Sequence, residues 1–375
     1  MNLFYSPRQA LAEAMAERLS PDPILGTPAG LFLAAPRRTG KSSFLRTDLI
    51  PHLERKGLYP IYLDLWSDRQ ADPGELIANV LAQELEKLSE RHAKILGALP
   101  FKTLGIAGFR IELKTDGPAR SATLAEALAE IGRRAQGDVV FILDEAQHAL
   151  SSSAGMDAMF ALKAARDAMN QTPDSARLYL VFTGSHRDKL AGLTLTSKAP
   201  FFGAQVSDFP RLGRDYIDAL VDNINPKLAD DNKLDPDDVE AAFVLLGHRP
   251  EKLTQVIREH ALGQAGSAGL RRTIRERADA LRALVWQQHE SDYGQLSDIQ
   301  RAVLRVLIEK GPDFAPFTPE TAEKVAGLTG QDVSPSQIQK ALDDLREKSL
   351  VWRPSRGVYA LEDQDMRDWL LSALH

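Results

Sequence analysis

There is no cysteine in the 375-residue sequence, which rules out disulfides, thiolate metal sites and cysteine nucleophiles in one step. No apolar run comes near the roughly 18 residues that a membrane-spanning helix needs, so no membrane partner is expected. The first twenty residues, MNLFYSPRQALAEAMAERLS, carry glutamates and lack the apolar stretch of a secretory signal. A cytoplasmic protein is the simplest expectation. The eight histidines show no metal-ligand spacing, and no Ser-His-Asp constellation stands out. A net charge of -6 gives no overall pull toward nucleic acid or anionic lipid, so any such binding needs a local patch. What is present is an ordinary globular composition, 43% hydrophobic and 26% charged, in a chain long enough for two or three domains.

Residues 35 to 42 read A-P-R-R-T-G-K-S. A phosphate-binding P-loop reads G-x-x-x-x-G-K-[ST], so Ala35 stands where the first glycine is usual. The context is a short apolar run, Leu31 to Ala35, before the loop, and Ser43, Phe44, Leu45 and Arg46 after it. Strand, loop and helix is the arrangement the motif requires. Gly40 lets the backbone approach a phosphate, and the loop N–H groups and helix N-terminus supply positive potential. Lys41 is placed to reach the β- and γ-phosphates of ATP, and Ser42 offers a hydroxyl to Mg2+. Position 35 needs a small residue, and alanine suits it if the local φ is negative. The competing reading is a helix-capping loop that contains GKS by coincidence. Arg37 and Arg38 read either as added positive charge near phosphate or a partner, or as solvent-facing residues.

A second motif favours the first reading. Val139 to Leu143 is a five-residue apolar strand that runs into Asp144-Glu145, the Walker B pattern. A buried parallel strand puts an acid at its carboxyl end, where ligands of open α/β sheets collect. Asp144 is expected to hold Mg2+ and Glu145 to polarise the attacking water. A third strand, Leu178 to Phe182, ends at Thr183-Gly184-Ser185-His186-Arg187, whose polar groups suit the γ-phosphate or the lytic water. A fourth run spans 59 to 65. The alternation of strands and helices predicts an α/β fold with a parallel sheet.

The stretch A-P-R-R-T-G-K-S-S-F-L resembles the G-P-R-R-x-G-K-[TS]-S-L-L loop of the archaeal-type ATPases, which lie near the STAND and origin-recognition branches of the AAA+ superfamily. L-D-E-A-Q at 143–147, F-T-G-S at 182–185, A-P-F-F-G at 199–203 and G-H-R-P-E-K-L at 247–253 extend the resemblance over roughly residues 1–265. It implies a P-loop NTPase core of five strands in the order 5-1-4-3-2, followed by a small helical lid. It also implies that Phe4 to Arg8, with Tyr5 and Arg8, lies near the adenine. Walker A would comprise Ala35, Pro36, Arg37, Arg38, Thr39, Gly40, Lys41, Ser42 and Ser43. Sensor 1 would be Thr183 or Ser185, and the lid turn His248-Arg249-Pro250 would carry the sensor-2 arginine. Candidates for an arginine finger are Arg187, Arg211 and Arg214.

Residues 71–134 predict two helical stretches around an extra strand or hairpin at 105–113, and Ser151-Ser152-Ser153 reads as a flexible loop. Gly266-Ser267-Ala268-Gly269 reads as a hinge. The connector that follows, to residue 290, carries five arginines against three acids, with Arg271, Arg275 and Arg282 on one helical face. The last 85 residues predict a winged helix: helices from Gln295 to Lys310, from Pro319 and from Ser334-Pro335, strands at Leu350–Trp352 and Val358–Leu361, and a closing helix from Asp365 to Leu374. Residues 291–375 hold ten basic against fourteen acidic residues, and only Arg353 and Arg356 of the wing suit DNA phosphate. The expected domains are therefore a core at 1–212, a lid at 213–265, a connector at 266–290 and a winged helix at 291–375. The expected activity is ATP hydrolysis, slow or partner-dependent, coupled to conformational change in a homo-oligomer or with a protein partner. Two alternatives remain open: a DNA-associated ATPase (a transposition helper, replication loader or defence component), and a slow STAND-like signalling switch or nucleotide-binding scaffold.

Overall fold

The computed structural model describes residues 4–21, 28–68, 70–96, 102–107, 110–114, 120–230, 233–261, 267–355, 357–362 and 364–373. The chain forms two compact units. One comprises residues 8–35 and 42–209 and is built on a sheet. The other comprises the N-terminal residues to Pro7, Pro36–Lys41 and everything from Pro210, and is mainly helical.

The sheet unit holds α1 (Gln9–Leu19), β1 (Leu31–Ala34), α2 (Lys41–Phe44, the first residue of which belongs to the other unit), α3 (Ile50–Arg55) and β2 (Tyr59–Asp64). It continues with α4 (Pro73–Leu96), β3 (Lys102–Ala107), β4 (Arg110–Lys114), β5 (Arg120–Thr123), α5 (Leu124–Ala135), β6 (Val139–Asp144), α6 (Ser153–Gln171), β7 (Leu178–Gly184), α7 (Arg187–Ala191) and β8 (Val206–Asp208). Five strands pair in parallel in the order β2-β6-β7-β1-β8. The three interior strands, β6, β7 and β1, are buried along their whole length, which is why they read as continuous apolar runs and not as alternation. Side chains leave the two faces in turn. Val139, Phe141, Leu143, Leu180 and Phe182 join α4, α5 and α6 in one core. Val140, Ile142, Tyr179 and Val181 join α1 and the helix after the loop in a second. All five strands therefore end at one edge, with covered faces, and that edge is where the polar motif residues emerge.

Three local findings extend or differ from the sequence reading. The extra strand or hairpin expected at 105–113 is present as β3 and β4, residues 108–109 lying outside the described residues, and β5 adds a third strand in the order β3-β4-β5. Ser151-Ser152-Ser153 is not a loop. A 3-10 turn runs from Ala146 to Ser151, and Ser152 caps α6 by accepting the Gly155 N–H, so the serines are there for capping. Between α2 and α3 the chain makes a π-helical turn, Leu45–Leu49. This turn points Asp48 inward, and Asp48 is buried.

The helical unit holds α8 (Arg214–Ile224), α9 (Pro236–Leu245), α10 (Pro250–Ala261), α11 (Ser267–Gly294), α12 (Asp298–Lys310), α13 (Pro319–Thr329), α14 (Pro335–Glu347), the hairpin β9 (Val351–Ser355) and β10 (Val358–Leu361), and α15 (Gln364–Ala373). One core gathers α8, α9, α10 and part of α11, and a second gathers α12 to α15 and the hairpin. The expected hinge at 266–269 is absent where it can be seen: Ser267, Ala268 and Gly269 open α11, while Gly266 lies outside the described residues. α11 continues to Gly294, and α12 starts three residues later than expected because Ser297 and Gln300 form a capping box. Arg356 lies outside the described residues. Among the described residues no helix is long and apolar enough to cross a membrane.

Candidate functional site

The loop after β1 begins with Ala35, which is 4% exposed and donates its N–H to Gly184 O at 3.0 Å. Its methyl packs in the core on the α1 face. The left-handed positions of the loop are Arg38 (φ 66) and Gly40 (φ 86), not Ala35. The first glycine of the motif is thus replaced where alanine adopts ordinary backbone and gains apolar contact. Gly40 keeps the conformation that needs glycine, and a Cβ there would meet only the Leu212 side chain, at 3.7 Å. Thr39 is buried and its hydroxyl donates to Pro36 O at 2.8 Å, which closes the loop on itself. Lys41 is buried to 6% exposure at the start of α2. Ser43 is exposed and Pro36 half-buried. Arg37 and Arg38 are exposed, and Arg38 pairs with Glu251 at 3.4 Å.

The site proper is built around Asp144 at the end of β6, where it is 1% exposed. Its Oδ2 accepts the Ser42 hydroxyl at 2.5 Å and the Tyr62 hydroxyl at 3.0 Å. Its Oδ1 accepts the Thr183 hydroxyl and, at 3.0 Å, the backbone N–H of Glu145. A buried carboxylate is tolerable only with such a set of donors. The parallel register sets Asp64 of β2 beside Asp144. Burial raises the Asp64 carboxyl above its ordinary range; the Trp66 N–H on it opposes this, and the charges of Asp144 and Glu145 reinforce it. Burial, followed by the charge of Asp144, raises the Tyr62 hydroxyl well above a normal phenol, so it stays a donor.

Glu145 follows in left-handed conformation (φ 53), which turns its side chain across the strand ends. Its Oε2 accepts Gln147 Nε2 at 2.6 Å and the Ser185 hydroxyl at 2.8 Å. Gln147 Nε2 also donates to Ser185 Oγ at 3.2 Å. A Cβ at Gly184 would stand 2.5 Å from Gln147 Oε1, so a larger residue there would displace the Gln147 amide. Thr183 and Ser185, the two candidates for one sensor role, therefore serve different acids.

The remaining candidates are engaged elsewhere. Arg8 donates its backbone N–H to Asp48 at 3.0 Å, and its guanidinium lies 5.2 Å from the Phe209 ring and 5.8 Å from the Phe44 ring. Tyr5 is half-buried. Arg187 pairs with Asp208 at 2.5 Å. Arg214 is exposed and binds Asp218, Asp237 and Glu240 at 2.6–2.8 Å. Arg211 is exposed. Pro250 is buried at the start of α10, and Arg249 lies 3.9 Å from Asp365. Tyr62, Gln147 and Asp48 were not singled out from sequence as site residues. Gln147 stands inside the quoted L-D-E-A-Q motif, so its signal was present. Tyr62 and Asp48 become visible only through strand register and the π-turn.

The pair suits a small hard cation, because Ser42 and Asp144 bring a hydroxyl and a carboxylate oxygen, both hard ligands, into contact. The loop, with a buried lysine and a left-handed glycine, suits phosphate.

Structures of known proteins share this architecture. A Walker-type ATPase of Pyrococcus abyssi superposes with a TM-score of 0.56 at 17% identity, over 97% of this chain and 95% of its own. The ORC2 protein of Aeropyrum pernix in its ADP form gives 0.51 at 15% identity, over 98% of this chain and 91% of its own. The chain shares the fold of these two structures, and at these identities the likeness is one of fold alone. No protein-family model matches the sequence, and no curated protein does.

Proposed function

We propose that the protein is an ATP- and Mg2+-binding ATPase that couples nucleotide binding and hydrolysis to conformational change or assembly. The observation that carries this reading is the contact of Ser42 with Asp144, from two motifs 102 residues apart, directly after a buried lysine in the phosphate loop. Lys41 and the backbone N–H groups of Pro36–Lys41, proline excepted, hold the phosphates. Ser42 and Asp144 hold Mg2+, which when bound neutralises charge on the β- and γ-phosphates. Glu145 orients the attacking water once its carboxylate is freed from Gln147 and Ser185. Residues 1–212 would form the core, 213–265 the lid, 266–290 the connector, and 291–375, with four helices and an antiparallel hairpin among its described residues, a winged helix. The fold is shared with an ADP-bound protein, which supports the same ligand class here.

The test is a pair of variants. Lys41→Ala should abolish binding of a fluorescent ATP analogue. Glu145→Gln should keep binding and lower steady-state hydrolysis by on the order of a hundredfold or more. Wild-type affinity in the lysine variant would refute the assignment.

A slow switch is the second reading. The three donors on Glu145 favour it, because the water-activating carboxylate is already occupied by the protein's own groups. A DNA-associated role has less support. Arg353, one of the two wing arginines, lies 5.9 Å from the Tyr359 ring of its own hairpin. Hydrolysis measured with and without plain duplex DNA at low salt separates these: stimulation by DNA would reverse that preference.

A further inference from the structure

Four donors hold the Asp144 carboxylate, and three of them come from motif residues: Ser42, Thr183 and the Glu145 backbone. The fourth, Tyr62, belongs to none. It stands on β2, in register with Ile142 and two residues before the Asp64–Asp144 pair. Its hydroxyl reaches the same oxygen, Oδ2, that accepts Ser42. On its other side the Arg46 guanidinium lies 4.6 Å from the ring centroid, and Arg46 is in the turn that follows Ser42. Tyr62 therefore ties the helix behind the phosphate loop to the acid at the end of β6.

The two oxygens of Asp144 are not equivalent. Oδ1 is occupied by two donors that stay on the sheet edge, Thr183 and a backbone N–H. Oδ2 has Ser42, whose hydroxyl must also serve the cation under the reading above, and Tyr62, which has no other assigned role. With Tyr62 in place, a fixed group orients Oδ2. Without its hydroxyl, Oδ2 loses a donor that does not itself become a ligand and keeps Ser42, which does. Loss of a group that orients a metal ligand typically costs on the order of 10–100-fold in metal affinity or activity.

We propose that Tyr62 is a positioning residue for the divalent cation, holding Asp144 Oδ2 beside Ser42 so that nucleotide binding becomes Mg2+-dependent. The proposal rests on the nucleotide-binding reading and assigns within it a residue from outside the Walker motifs. Packing alone is the competing role. Tyr62→Phe separates the two, because it keeps the ring beneath the Arg46 guanidinium and removes only the hydroxyl, with its bonds to Asp144 and Arg46.

The experiment titrates a fluorescent ADP analogue into the full chain, first in EDTA and then at rising Mg2+. Bound Mn2+ measured by electron paramagnetic resonance gives a second readout. In Tyr62→Phe the Mg2+ concentration for half-maximal tightening should rise on the order of tenfold. Its affinity in EDTA should equal that of wild type. Tyr59→Phe is the control: this residue lies on the same strand and donates to Glu84 at 2.7 Å, away from Asp144. It should keep the wild-type Mg2+ dependence. An unchanged Mg2+ dependence in Tyr62→Phe would overturn the proposal and leave the nucleotide reading intact. So would an equal loss in EDTA, or the same shift in Tyr59→Phe. A wild-type chain that binds no nucleotide would overturn both.

Discussion

Two of the non-glycine residues in left-handed conformation, Glu145 and His248, sit in surroundings that treat charge in opposite ways. At the carboxyl edge of the sheet, Glu145 (φ 53) follows β6, beside an Asp144 that is 1% exposed and accepts four donors. In the helical unit, His248 (φ 54) follows α9 in a turn whose charged neighbours are partly in water. Arg249 and Asp365 stand at 3.9 Å, and Arg214 on α8 faces three exposed acids. In the first place every donor matters, because a buried carboxylate short of a partner loses solvation that nothing replaces. In the second, the ion pairs are partly exposed and add little. The sheet edge is therefore built to hold one geometry, and the turn is free to exchange partners.

The sharpest way to break this comparison is to remove one donor from the buried set. Thr183→Val keeps the shape of a side chain that is 0% exposed and deletes its hydrogen bond to Asp144. The expected loss is about 1.5–3 kcal/mol of stability, the range for a hydrogen bond to a charged group. Urea unfolding followed by circular dichroism measures it. A smaller loss is expected in the helical unit from Ser297→Ala, which removes the exposed capping box of α12 at a cost of about 1 kcal/mol. If the cap costs as much as the buried hydroxyl, burial is not what distinguishes the two regions.

The parts of this architecture legible in the sequence are those where one physical demand dominates. β6 and β7 announce themselves because strands covered on both faces must be apolar throughout. The acids at the end of β6 follow from where such strands stop. β8 escapes notice because three residues, Val206–Asp208, of partial exposure carry no pattern. The roles of Tyr62 and Gln147 escape because each depends on register or on a neighbour far along the chain: Tyr62 meets Asp144 across 82 residues, and Gln147 meets Ser185 across 38. The π-turn that buries Asp48 is hidden because its residues fit helical spacing as well.

The smallest expected effect concerns the turn itself. Burial lowers the His248 imidazole below its ordinary value, and the charge of Arg211 adds to this. The Leu212 carbonyl at 3.3 Å, Asp365 and Glu240 oppose the shift without cancelling it. Above the unfolded value, about 6.5, the ring is neutral in both states and costs nothing. As pH falls below that value the unfolded chain takes up the proton first, so stability declines until the folded-state pKa has been passed. His248→Asn removes the titration while keeping a side chain that tolerates left-handed backbone. Stability measured between pH 5 and 7.5 should fall less steeply with acid in the variant than in wild type. Parallel curves would mean that the His248 ring takes up its proton as readily in the fold as in the open chain. The turn would then be as wet around its histidine as around its ion pairs.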